Sequence, residues 1–217
     1  MKKFELTTEF ITFFGRKLFR IKALVDVKDV KAGDLGGYVE KEENLSQEDA
    51  AWIYGNAKVW GNAKVYGDAK VCGNAEVWGD AEVWDNAKVC GNAEVCGNAK
   101  VCGDAKAYGD AKVYGDAKVY GNAEVYGNAE VWGNAEVCES KDYATVQGFG
   151  SCFRVSTFFR CKDKLIRVVC GCFYGTIPEF REKVRETHGD SKTAKEYLMI
   201  ADLMEYRFSE VDADEEN

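Results

Sequence analysis

A mainly β fold is predicted: a parallel β-helix with three hexads per coil, an N-terminal β-hairpin cap and a small C-terminal α+β module. Three observations predict it. Between Gly55 and Cys138 the unit Gly-Asn/Asp-Ala-Lys/Glu-Val-aromatic runs through 14 hexads without an insertion, and "DAAWIY" (49–54) is a degenerate hexad ahead of them. The 22 glycines fall largely at that fixed period beside a single proline, so they mark repeated corners rather than a flexible tract. On both sides of the repeat the period vanishes and longer apolar alternations begin.

The N-terminal segment comes first. Residues 4–27, "FELTTEFITFFGRKLFRIKALVDV", read as two apolar strands turning around Gly15-Arg16-Lys17. "KAGDLGGYVEKEENLS" then bends toward the first coil, with Val39 and Leu45 in phase with the inward slots. Residues 1–48 are therefore a cap, which a solenoid needs because its open edge would otherwise pair with another chain.

Residues 49–144 are the β-helix. A six-residue period is too short for helical solenoids and does not match a coiled-coil heptad. Alternation along each short strand points valine inward, with the preceding Lys/Glu and the following aromatic outward. Gly and Asn/Asp make the corner because both tolerate positive φ, and alanine turns inward where a corner has little room. Asp85 stands in a glycine slot and should adopt the same left-handed backbone. Ala107 stands in a valine slot and should leave a slack spot in the core.

Stacking gives an independent check on three hexads per coil. Residues 18 apart should lie one coil apart, about 4.8 Å. The corner columns then read Asn56-Asn74-Asn92-Asp110-Asn128, Asn62-Asp80-Asn98-Asp116-Asn134 and Asp68-Asn86-Asp104-Asn122. No aspartate stacks on another, as like-charge repulsion at this spacing demands. The charged columns are less tidy: Lys70-Lys88-Lys106 stack, as do Glu76 and Glu94. The outward aromatics form ladders such as Trp60-Trp78-Cys96-Tyr114-Trp132, which can stiffen the prism or be covered by another subunit. Trp60, Trp78 and Trp132 are the candidate oligomer contacts.

After Cys138 the repeat decays. Residues 145–208 form the α+β module, in which "STFFRCKDKLIRVVCGCFYG" reads as a second hairpin. Thr176, Pro178 and Glu179 open a helix with a capping box, and Gly189 stops it. Ser191 caps a second helix with Tyr197, Ala201 and Met204 on one stripe. Residues 209–217 form an acidic tail expected to be disordered.

Written from valine, the unit Val-aromatic-Gly-Asn/Asp-Ala-Lys/Glu resembles the hexapeptide-repeat family, which implies a left-handed parallel β-helix and, commonly, a trimer. End to end, the chain is also similar to uncharacterised phage and prophage hexapeptide-repeat proteins. The matching pieces are "VKAGDLGGYVE" and "NLS" before the repeats and "STFFR", "CGCFYGT", "EFREKV" and "ETHGD" after them. That resemblance implies a role inside an infected cell, such as binding a host protein, and brings no established activity.

Composition and chemistry narrow the function. The net charge of −8 disfavours duplex nucleic acid and anionic membranes, and no stretch reaches the length of a membrane span. The opening "MKKFELTTEF" has no apolar run of secretory length. Five of the nine cysteines (Cys72, Cys90, Cys96, Cys102, Cys138) share the aromatic slot, so the expectation is free thiols in a host-cell cytoplasm.

The hexapeptide-repeat acyltransferases use a histidine base and inter-coil loops, and their carbonic anhydrase relatives use three zinc-binding histidines. This chain has one histidine, His188, outside the repeat, and no inserted loop. An acyltransferase-like enzyme is therefore the competing reading. No catalytic residue, cofactor or metal is assigned. Cys161, Cys170, Cys172 and His188, with Cys152, form the best thiol–imidazole grouping but lack the paired Cys-x2-Cys knuckle of a zinc site.

The candidate binding surface is Arg154, Arg160, Lys162, Lys164 and Arg167 with Phe158 and Phe159 interleaved, suited to a small anionic, nucleotide-like ligand or an acidic partner. The expected function is a non-catalytic, oligomeric β-helix scaffold that displays this module.

Overall fold

The structure, a computed structural model, describes residues 2–150 and 154–209 and divides into two units, residues 1–140 and 141–217. The predicted acidic tail lies, apart from Ser209, outside the described residues, as does Cys152.

The first unit starts with the expected hairpin, β1 (Phe4–Phe13) and β2 (Arg16–Ala23), antiparallel with Phe13 opposite Arg16. A third strand, β3 (Leu35–Val39), pairs antiparallel with β2 and parallel with Lys58–Val59. One sheet thus runs from the cap into the repeats. Val39 lies beside Val59 and Leu45 bridges to Val65, so both enter the inward slots as expected.

The repeats form a parallel β-solenoid of about six turns. Its strands are two residues long, from Trp52–Ile53 to Glu136–Val137, and each as far as Lys118–Val119 pairs with the strand 18 residues on, as Val65 does with Val83. Every repeat valine and alanine is buried, so the core is a continuous stack of small apolar side chains. The repeat glycines have φ between +60° and +77°, and Asp85 takes φ +56° in the same slot. Space adds to the demand: a Cβ on Gly73 would lie 2.9 Å from the carbonyl oxygen of Gly91 one coil on.

The column logic appears as hydrogen bonds. Asn62 donates to Asp80 (3.0 Å), Asn86 to Asp104 (3.0 Å), Asn92 to Asp110 (2.9 Å) and Asn98 to Asp116 (2.8 Å). Four of the like-charged neighbours turn to an opposite charge instead. Glu76 takes Lys58 and Glu94 takes Lys112, while Lys70 pairs with Asp29 of the cap and Lys106 with Glu124. These are surface pairs, each worth no more than about 1 kcal/mol.

Ala107 is buried in register between Val89 and Val125. Because the surrounding slots accept valine, Ala107→Val should fit and stabilise by about 1 kcal/mol, from two added methyl groups less their ordering cost. A raised thermal midpoint checks this; a lowered one would mean the core has closed around the alanine.

The expectation of free thiols is corrected at one pair. Cys72 and Cys90 are joined by a disulfide, because the aromatic slot stacks them one coil apart with Cα atoms 4.6 Å apart, inside the range a disulfide spans. Constraining a loop of this length in the unfolded chain is worth about 3 kcal/mol. Cys96, Cys102, Cys138, Cys161, Cys170 and Cys172 are not in disulfides. Burial pushes the Cys96 thiol up to about 11.

The start of the solenoid is closed by side chains. Within the stack, Gly-slot and Ala-slot carbonyls accept backbone N–H groups from the preceding coil, as Gly73 and Ala75 do from Asn56 and Lys58. At the first turn the donors come from the cap: the Tyr38 N–H reaches the Ala57 carbonyl (2.8 Å), and side chains serve others. Lys3 Nζ donates to the carbonyls of Asp49 (3.0 Å) and Ala51 (2.9 Å), and Asn44 Nδ2 donates to those of Gly61 (3.2 Å) and Ala63 (2.9 Å). Gln47 receives the N–H groups of Lys3 and Phe4 and donates back to the Phe4 carbonyl. Burial pushes the pKa of Lys3 down, opposed by its ion pair with Asp49.

The second unit is a four-stranded antiparallel sheet with two helices. Its strands β4 (Tyr143–Val146), β5 (Ser156–Arg160), β6 (Ile166–Cys170) and β7 (Phe173–Thr176) pair in sequence order. The segment expected to be one hairpin is therefore three strands, the Gly171 turn starting the third. Helix α1 (Ile177–His188) begins with the expected box: Thr176 accepts from the Glu179 N–H and Glu179 from the Thr176 N–H. Gly189 ends it, and Ser191 caps α2 (Lys192–Phe208). Phe158 and Val168 of the sheet pack against Phe180, Val184, Ala201, Met204 and Phe208 of the helices. No helix among the described residues is long and apolar enough to cross a membrane.

Candidate ligand-binding cavity

The basic grouping seen in the sequence is divided by the fold. Phe158 and Phe159 are 0% exposed, so they are core residues rather than a ligand-facing surface, alternation on β5 having sent each to a buried side of the sheet. Arg167 holds Asp163 through both terminal nitrogens (2.8 and 2.6 Å), which raises its pKa further. Arg160 approaches Asp142 (3.5 Å), donates to the Phe208 carbonyl (3.3 Å) and lies over the Phe208 ring. Lys162 and Lys164 stand exposed on the β5–β6 turn. Cys161 is buried at that same end, the far end of β6 from Cys170, so the thiol–imidazole grouping is split as well.

Arg154 has a different setting. It borders a cavity of about 260 Å³ inside the second unit. The floor is apolar: Phe173 from β7, Phe180 and Val184 from α1, and Tyr197 from α2. Phe180 meets Phe173 at 5.5 Å and stands edge-on to Tyr197 at 5.8 Å, so the rings hold one another in place. The rim carries three groups able to bear positive charge, Arg154, Lys183 and His188, together with Thr187 and the thiols of Cys170 and Cys172. On α1, Phe180, Val184 and His188 recur every four residues, and Lys183 and Thr187 flank that stripe. The His188 ring lies over Tyr197 with centroids 5.8 Å apart.

Two glycines give these walls their room. A Cβ on Gly171 would sit 2.4 Å from Arg154 Nη1, and a Cβ on Gly150 would sit 2.0 Å from the Tyr197 hydroxyl. Both have positive φ, +62° and +71°. In the sequence, Gly171 shows only as the middle of "CGC". Lys183 and Tyr197 gave no signal there beyond helical spacing, because the partners that make them a site come from other elements.

This arrangement can hold an anion against fixed rings. Among the described residues Lys183 pairs with Glu186 at 3.3 Å on the exposed helix surface, a pair weak enough to yield to a ligand. Among the described residues, no three His, Cys, Asp or Glu side chains lie placed to hold a metal ion.

The oligomer candidates divide too. Trp60 is buried by the cap of its own chain, against Leu18, Tyr38 and Phe13, so its surface is already covered. Trp78 stacks on Trp60 at 5.0 Å with planes 2° apart, and Trp132 meets Tyr114 at 4.8 Å; both are half-buried. No protein-family model matches the chain, and no curated protein matches its sequence.

Proposed function

We propose that the protein is a non-catalytic β-helix scaffold whose C-terminal module binds a small anionic ligand in the cavity bordered by Arg154. The carrying observation is the meeting of Arg154, Lys183 and His188 over the floor of Phe173, Phe180 and Tyr197. The solenoid offers the same few side chains on every coil and little with which to tell one ligand from another; the module is varied. Left-handed coils, a trimer built on the half-buried aromatic ladders, a cytoplasmic setting and a role in an infected cell belong to the same reading. They rest on the hexapeptide-repeat and phage-protein resemblance.

Charge-assisted hydrogen bonds are worth about 1.5–3 kcal/mol, so Arg154→Ala with Lys183→Ala should weaken binding of a co-purified or added anion by at least about tenfold. Arg160→Ala with Arg167→Ala should leave the affinity within a few-fold, since those side chains already hold carboxylates. Native mass spectrometry and calorimetry on the folded variants check both. The opposite ranking would move the site to the β5–β6 turn.

A further inference from the structure

We infer that the occupant of this cavity is a single aromatic ring carrying one compact anionic group, an aryl phosphate or an aromatic carboxylate. The inference rests on the anion-binding reading and adds to it the body of the ligand.

Size is the first argument. At about 260 Å³ the cavity falls below the roughly 300–1,000 Å³ of pockets that hold drug-sized molecules. It has room for one ring and its acidic group, not for a dinucleotide. Charge is the second. None of the described residues lining the cavity is acidic, and the lack of a side chain on Gly171 leaves room for the Arg154 guanidinium, whose Nη1 lies 2.4 Å from where a Cβ would stand. A planar guanidinium suits a phosphate or carboxylate through paired hydrogen bonds.

The third argument is the floor. Phe180 is edge-on to both Phe158 (6.0 Å) and Tyr197 (5.8 Å), and tilted against Phe173. Rings fixed in this way present edges and faces that reward a flat partner over a puckered one. The ligand ring cannot slide between His188 and Tyr197. Their centroids are 5.8 Å apart, and an inserted ring needs about 7 Å, two carbon–carbon contacts. It must lie against the Phe173–Phe180 side, with its anionic group toward Arg154.

The test titrates phenyl phosphate, benzoate, cyclohexyl phosphate and inorganic phosphate into the full chain, read by NMR shifts or calorimetry. Phenyl phosphate should bind at least tenfold more tightly than cyclohexyl or inorganic phosphate, and benzoate should compete with it. Arg154→Gln should weaken phenyl phosphate at least tenfold. Phe173→Leu should erase the preference for the aryl ring and leave phosphate binding in place; if that variant does not fold, Phe173→Met takes its role. Equal affinities for phenyl and cyclohexyl phosphate would overturn this inference and leave the anion-binding reading standing. Failure of all four probes to bind would overturn both.

Discussion

Val95→Asp is expected to unfold the solenoid. Val95 is 0% exposed and lies in register with Val77 on one coil and Val113 on the next. Every inward neighbour in the stack is valine or alanine, so no donor is at hand for a carboxyl group. Burying even the neutral acid without a partner costs about 2–7 kcal/mol, and the ionised form more. That is most of the stability of an ordinary domain. The position adds to the effect, because each coil contacts only its neighbours and a break in the middle uncouples both sides. Far-UV circular dichroism of the purified variant should show loss of the β signal at room temperature. The change Glu94→Gln at its outward-facing neighbour, half-buried and in a surface ion pair with Lys112, should be nearly silent. A cooperative melt in Val95→Asp close to that of the parent would mean that the core is far more open than a valine–alanine stack allows.

Asn44→Leu should be nearly as damaging, for a different reason. Asn44 is 0% exposed; its amide group donates to two first-turn carbonyls, and its oxygen accepts from the Lys41 N–H at 3.0 Å. Leucine keeps much of the volume and removes all three hydrogen bonds, leaving buried backbone groups unpaired at about 1–3 kcal/mol each. A loss of roughly 2–4 kcal/mol should appear as a lowered urea midpoint, with faster amide exchange concentrated in the first turn. Asn74→Leu is the matched control. It removes an exposed corner bond to Asn92 and should cost under about 1 kcal/mol. Equal losses in the two variants would show that the first turn needs no cap.

The contrast between these asparagines marks what could be read from sequence. Asn74 belongs to a column written every 18 residues, and the ladders, the inward valines and the left-handed backbone of Asp85 all follow from that period. The capping box at Thr176 and the cap at Ser191 were equally legible, because the partner lies three residues away. Lys3 and Asn44 were not. Lys3 reaches carbonyls 46 and 48 residues along the chain, and nothing local marks it as more than a basic opening residue. The candidate site suffered in the same way. Arg154, Arg160 and Arg167 look alike in sequence, but Asp163 occupies Arg167, Asp142 and Phe208 engage Arg160, and only Arg154 stands at the cavity. Phe158 and Phe159 read in sequence as part of the binding surface because a strand buried on both faces carries no alternation to give it away.

The uninterrupted repeat makes the solenoid a ruler. Each block of 18 residues adds one rise of about 4.8 Å and returns every side chain to the same face. Removing such a block shortens the rod by one unit without re-aiming anything, yet the graduations are not all equivalent. Taking out residues 97–114 would set Asp80 directly on Asp116, whereas taking out 103–120 would set Asn98 on Asn134 at that corner. A chain that gains or loses length by whole turns therefore has permitted and forbidden cutting points, and the spacing of aspartates among asparagines records where they lie.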